Sequence, residues 1–302
     1  MASTAGTQSA EGLLGAHDAH GPRPVKVRVP KRSASGELRA IKVVWQRELI
    51  RFSRDRLRIV TSLVQPFLFL FVLGTGLSHV AAAGTHGVNL KTFVYPGVLC
   101  IAVMFTAMFS AASLVWDREF GFLREMMVAP VKRSSLVLGK CFGGATVAGF
   151  QGLIVLFLAP LVGIPYGSWI PEVFAIQLAL AFAITAFGVM VAARITQMQA
   201  FMALMQMVIL PMYFLSGALY PVAGLPRWLE ILNRVDPLTY AVDPIRRIIF
   251  AHLSISDAAR RSLDPGVSWW GWHVPAGAEV AVIALLGTVM LSIAIFEFTR
   301  AE

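Results

Sequence analysis

Apolar residues fall into six long runs, at roughly 59–81, 93–116, 137–163, 172–193, 197–220 and 276–298. About 20 such residues carry a helix across the hydrocarbon of a bilayer. The pattern therefore predicts an all-α integral membrane protein with six transmembrane helices. The third run is long, and Pro160 marks where it should tilt or break. Pro211 predicts a kink in the fifth, whose freed carbonyl neighbours must satisfy. No internal repeat is visible.

Upstream of the runs the period changes. Leu38, Ile41, Trp45, Leu49 and Phe52 recur at steps of three and four, with Arg39, Lys42, Arg47 and Arg51 largely on other faces. Residues 37–58 thus predict an amphipathic basic helix lying in the membrane interface, where its cations meet anionic headgroups. The alternative is an ordinary helix of a soluble domain, but a span follows at once. Residues 1–36 have no periodicity and are expected to form a disordered cytoplasmic tail. No apolar segment follows a short basic start, so this is not a signal peptide.

Composition agrees with lipid as the solvent. Apolar residues make up 57% of the chain and charged ones only 14%, too few to cover a soluble surface. The net charge of +9 would suit nucleic acid, but its distribution fits membrane topology better. Twelve Lys and Arg lie between Arg23 and Arg58, and five more lie at Arg118, Arg124, Lys132, Arg133 and Lys140. The expected topology puts both termini in the cytoplasm of a multi-pass plasma-membrane protein. Cys100 and Cys141 read as small buried hydrophobes, and the six histidines have no metal-ligand spacing.

Two connections are polar enough to act. Asp117-Arg118-Glu119-Phe120-Gly121-Phe122-Leu123-Arg124-Glu125 reads as a short helix with Asp117 and Glu119 in its first turn and Pro130 beyond its end. Phe120, Leu123 and Met127 would share one face, a good knob for a partner; a solvated loop is the plainer alternative. Between spans five and six, Asp236-Pro237 and Asp243-Pro244 each resemble a helix start, and Pro226–Leu232 is amphipathic. Short interfacial or re-entrant external helices are expected there, forming either a gate or a structural cap. Trp269, Trp270 and Trp272 suit an interfacial belt.

Within the spans ionisable groups are scarce. Glu172, Glu279 and Glu297 fall near span ends, where snorkelling or capping suffices. Gln65, Gln151, Gln177 and Gln206 remain, as helix–helix glue or as substrate contacts. Gln65, Gln151, Gln206, Tyr213 and Ser216 are the candidate translocation path. So apolar a path suits a hydrophobic or amphipathic substrate. The five methionines of span five read as packing or as an adaptable surface. No Walker A sequence, H-E-x-x-H or G-x-S-x-G elbow is present, so energy must come from a partner or a gradient.

Several segments together resemble ABC-2 type transporter permeases. They are Tyr95-Pro96-Gly97, Asp117 to Arg124, Val128-Ala129-Pro130-Val131, Leu138-Gly139-Lys140, Phe214 to Pro221 and Asp236 to Asp243. The likeness covers about residues 40–300, in order, and is nearest to daunorubicin-resistance-type exporters and their polysaccharide and lipid relatives. Pro244 after Asp243 departs from the family pattern. The resemblance implies a membrane permease subunit paired with a second permease copy and with a separate ATPase. ATP and Mg2+ would lie on that partner, with no cofactor in this chain and no nucleic acid bound. It implies ATPase coupling through Asp117, Arg118, Glu119, Phe120, Gly121, Leu123 and Arg124, and an interfacial helix with Trp45, Arg47 and Arg51. It also implies an external hairpin, with Asp236, Tyr240, Asp243 and Arg246 as candidate gate residues. Two rival readings remain: a membrane-embedded lipid-modifying enzyme, and a signalling or assembly subunit on the same fold.

Overall fold

A computed structural model describes residues 34–76, 89–121, 131–220, 225–253, 263, 266–269 and 272–300. Helix α1 (Ala34–Arg54) precedes six helices long and apolar enough to cross a membrane. These are α2 (Arg56–Gly76), α3 (Leu90–Glu119), α4 (Arg133–Leu156), α5 (Ile170–Ala192), α6 (Met198–Leu215) and α9 (Ala276–Arg300). Between the last two lie α7 (Arg227–Val235), α8 (Thr239–Ala251) and a two-stranded ribbon, β1 (Ser268–Trp269) with β2 (Trp272–His273). The all-α membrane architecture read from the sequence is the one observed.

Local chemistry explains the boundaries. The Asp55 carboxylate accepts from the Arg58 backbone N–H and caps α2, so the predicted 37–58 helix ends at Arg54. Pro66 has no N–H, and the α-helical ladder gives way to a π-helical turn at Phe69–Leu73. The Asn89 side chain caps α3 by accepting from the Lys91 N–H. The third span stops at Leu156, and a 3-10 turn over Ala159–Val162 carries Pro160, the expected break. Pro211 lies inside α6, as its position required.

Two local expectations fail. Asp117 does not open a separate short helix: α3 runs on through Glu119 and ends at Gly121, whose φ of +81° no continuing helix adopts. Residues 122–130, including Leu123, Arg124 and most of the predicted apolar knob, lie outside the described residues. Asp243 also caps nothing, because α8 begins at Thr239 and carries Pro244 within it. The ladder starts with the Val242 N–H on the Leu238 carbonyl, so Pro244 lies in the second turn and removes a single bond.

Helix α3 forms the centre of the bundle, with 89% of its apolar window buried, against 18% for α2 and 22% for α6. Phe93, Leu99, Met104 and Met108 fill that centre. Lipid tails are as apolar as these side chains, so close packing and polar contacts must hold the helices together. The Tyr95 hydroxyl donates to the Leu156 and Val155 carbonyls at 2.8 and 3.1 Å, satisfying the last turn of α4. Next to it, a Cβ on Gly97 would lie 2.5 Å from that of Ala218. The Tyr95-Pro96-Gly97 run is thus a packing device.

Candidate functional site

The basic end of the bundle is built around Lys140. It stands two turns into α4, where Gly139 and Gly143 flank it one residue before and three after. These glycines admit α1 at close range. A Cβ on Gly139 would lie 2.7 Å from that of Val44, and one on Gly143 would lie 2.8 Å from that of Glu48. So α1 is docked along span three through a G-x-x-x-G stripe, with Trp45 donating its indole N–H to Thr146 at 3.1 Å.

That close approach delivers Glu48 to Lys140. The ammonium donates to Glu48 Oε1 at 2.6 Å, to Asp117 Oδ2 at 2.5 Å and to Ser113 Oγ at 3.0 Å, which uses its three protons. Arg47 donates to the same Asp117 carboxylate, and Arg51 approaches its other oxygen at 3.8 Å. Lys140, Glu48 and Asp117 are all at least 93% buried. Two acids face two close bases, with Arg51 a third, more distant cation. Its energetic value lies in what any single deletion would leave stranded.

The neighbouring charges also bond to other helices of the bundle. Arg118 donates to the Ala193 carbonyl at 2.9 Å, closing the end of α5. Glu119 accepts from the Met198 N–H at 3.0 Å and caps α6. Glu37 accepts from the Lys132 N–H at 2.9 Å and from Ser135 Oγ at 2.6 Å, at the start of α4. Asp117-Arg118-Glu119 therefore joins four helices besides its own. Of the predicted coupling residues, Phe120 faces outward, 58% exposed, with its ring against Trp116.

Beside this clasp is a cavity of about 630 Å³ between α2, α3 and α6. Ile101, Phe105, Phe109, Trp116 and Met202 give it apolar walls; Thr61, Ser62, Gln65 and Thr106 add polar groups; Arg51, Asp55 and Arg58 carry its charge. Arg58 Nη2 is buried with no hydrogen-bond partner, an arrangement that costs more than about 1–3 kcal/mol for a charged donor. Gln65 lines this cavity. Gln151 lies behind it, fully buried, accepting from Ser62 at 3.1 Å and so joining α4 to α2. Gln206 is exposed on α6 and lines a separate cleft of about 80 Å³. Tyr213 is buried farther along α6, edge-on to Phe69. The five predicted path residues are therefore not brought to one site.

At the opposite end, Ser216 joins the predicted gate residues. It lines a small crevice with Asp243 and Arg246. The Arg246 guanidinium lies 4.4 Å from the Phe93 ring centre and donates to the Gly217 carbonyl at 2.7 Å. Arg247 bridges Asp243 and Glu279. Tyr240 donates to the Arg234 carbonyl at 2.6 Å and accepts from the Trp269 indole at 3.1 Å. Asp236 accepts from the Leu238 N–H at 3.0 Å, yet burial pushes its carboxyl up to about 8.

Glu48, Lys140, Arg247 and Glu279 are absent from the predicted set. Glu279 is fully buried against Arg247 and neither snorkels nor caps, contrary to expectation. Lys140 had a visible signal. It falls inside the predicted third span, where an ionisable residue needs a partner.

The family model of the ABC-2 type transporter matches residues 39–250. A protein of Cyanophora paradoxa carrying the name transport permease ycf38 is 30% identical over 218 residues, which is 70% of this chain and 74% of that one. Nodulation protein J of Rhizobium leguminosarum bv. trifolii is 30% identical over 69% of this chain and 80% of its own. A protein of Mycobacterium tuberculosis named as doxorubicin resistance ABC transporter permease protein DrrC is 27% identical, covering 66% and 73%. Tyr95, Gly97, Asp117, Arg118, Glu119, Gly139 and Lys140 of the signature segments occupy the helix contacts described above. With a family match over more than two thirds of its length, the chain belongs to the ABC-2 type transporter family.

Proposed function

We propose that the protein is the membrane permease subunit of an ATP-driven exporter, with ATP and Mg2+ held by a separate ATPase chain. Its basic end faces the cytoplasm of the plasma membrane, as the excess of Lys and Arg there favours. The substrate is a hydrophobic drug-like or lipid-linked molecule. The observation that carries this reading is the cavity between α2, α3 and α6, whose size falls in the range of small-molecule sites. The doxorubicin-resistance name of one relative fits the same substrate class.

The coupling proposal follows from the clasp. The end of α3 is tied by its three charged residues to α1, α4, α5 and α6. A push delivered at Phe120 and the segment beyond it therefore reaches all of them, and rocking of these helices opens the cavity. The thinly covered faces of α2 and α6 leave apolar surface for lipid and for a second permease copy. Neither ATP site nor cofactor is assigned to this chain.

Reconstitution tests the reading. The purified permease alone is expected to hydrolyse no ATP. Phe120→Ala should leave the melting temperature unchanged, because the ring is exposed, while ATP-driven transport by the permease–ATPase complex falls about tenfold, the loss of roughly 1.4 kcal/mol of docking contact. Robust ATP turnover by the permease, or full transport by Phe120→Ala, contradicts the subunit and coupling assignments respectively.

A further inference from the structure

We infer that the cavity between α2, α3 and α6 accepts an amphiphile with an acidic oxyanion head, a phosphate or carboxylate, which pairs with Arg58. This rests on reading that cavity as the transport site. Arg58 lines it, and its Nη2 is buried with no hydrogen-bond partner. An unpaired guanidinium donor in a dry wall is satisfied by an anion of matching geometry far better than by a neutral head. The neighbouring charges agree. Arg51 adds a second cation to the lining, and Asp55 is the only acid among its described residues. One Asp55 oxygen is already engaged by the Arg58 backbone N–H, and no side-chain ion pair joins the two residues among the described contacts. A cationic head would enter against two guanidinium groups. The deeper wall of Ile101, Phe105 and Phe109 is apolar and suits the tail.

The test uses the full-length permease in a neutral detergent, with bound neutral NBD-dodecylamine displaced by three competitors. Dodecyl phosphate should displace it at a concentration at least tenfold below that of dodecyltrimethylammonium. Inorganic phosphate should compete only weakly, because it lacks the tail. Arg58→Gln should raise the dodecyl phosphate concentration needed by about 10- to 100-fold while the ammonium competes no less well than before, and Arg58→Lys should recover part of the loss. Equal displacement by the two heads overturns the inference without any variant being needed. Inorganic phosphate matching dodecyl phosphate also overturns it, in favour of a free-phosphate site. Met202→Trp, which fills the cavity, separates the two readings. If it abolishes NBD-dodecylamine binding while the heads rank equally, only the head inference falls. If it leaves all binding intact, the cavity itself is not the site.

Discussion

The two ends of the bundle hold buried charge in different ways. At the basic end, Lys140 and Arg47 face Glu48 and Asp117, and every ammonium proton of Lys140 has an acceptor. At the opposite end a single guanidinium, Arg247, serves both Asp243 and Glu279, and Glu279 Oε2 is buried without a hydrogen-bond partner. A saturated cluster specifies one arrangement of the helices around it, whereas a partly satisfied one has less to lose by rearranging. The basic cluster is thus suited to be the rigid strut through which a push is transmitted. The acid-rich cluster is suited to be the part that opens.

Removing one partner from each should break that comparison if it is wrong. Lys140→Met leaves the buried Glu48 carboxylate with Arg47 only at 3.8 Å and Asp117 with Arg47 and Arg51; it is expected to cost about 3–5 kcal/mol, read as a lowered melting temperature of the detergent-solubilised protein. Arg247→Met should cost less, because water reaches the guanidinium side of that pair, which is 29% exposed, whereas the Lys140 side chain is 3% exposed. Adding Glu48→Gln to Lys140→Met should recover part of the loss, since it removes one stranded charge. Equal melting temperatures for the two single variants would erase the distinction between strut and gate.

The same contrast shows what the sequence could reveal. The six spans were legible because a bilayer fixes the length and polarity of each helix. The break at Pro160 was legible because proline acts locally. Asp117-Arg118-Glu119 was not. Three charges in a row look like a solvated loop, and nothing local tells that Arg118 reaches Ala193 or that Glu119 reaches Met198. Glu48 escaped for the same reason. On α1 it is one polar residue in a basic helix, and its role appears only when Gly139 and Gly143 bring α1 against α4. Asp243-Pro244 misled because a helix start and an early helical proline share a dipeptide, and only the packing of α8 decides between them.

The end opposite the basic cluster should also respond to pH. The Asp236 carboxyl is raised by burial from 3.8 to about 8, so it takes up a proton on folding between those values. The unfolded chain binds fewer protons there, and stability therefore falls as pH rises from about 4 toward 8 and levels off above it. The melting temperature is expected to be higher at pH 6 than at pH 8.5. Asp236→Asn should flatten that dependence, because the amide keeps an oxygen for the Leu238 N–H and cannot ionise. An unchanged slope in the variant would show that another group carries it, and would remove Asp236 as a reason for treating this end as the adaptable one.

The smallest effect is expected at a charge pair outside both clusters. Arg194, in the turn between α5 and α6, donates to both oxygens of Glu297 at 2.9 and 2.6 Å. The geometry is bidentate, and donating to the Glu297 carboxylate raises the guanidinium above its ordinary value. Yet Arg194 is 71% exposed, so water and salt screen the attraction and holding two long side chains costs entropy. Arg194→Ala, Glu297→Ala and the double variant should all melt within error of the parent at 0.15 M salt. A fall as large as that of Lys140→Met would mean that geometry outweighs burial in this bundle. The ranking of its polar contacts would then have to follow the number of hydrogen bonds rather than exclusion of water.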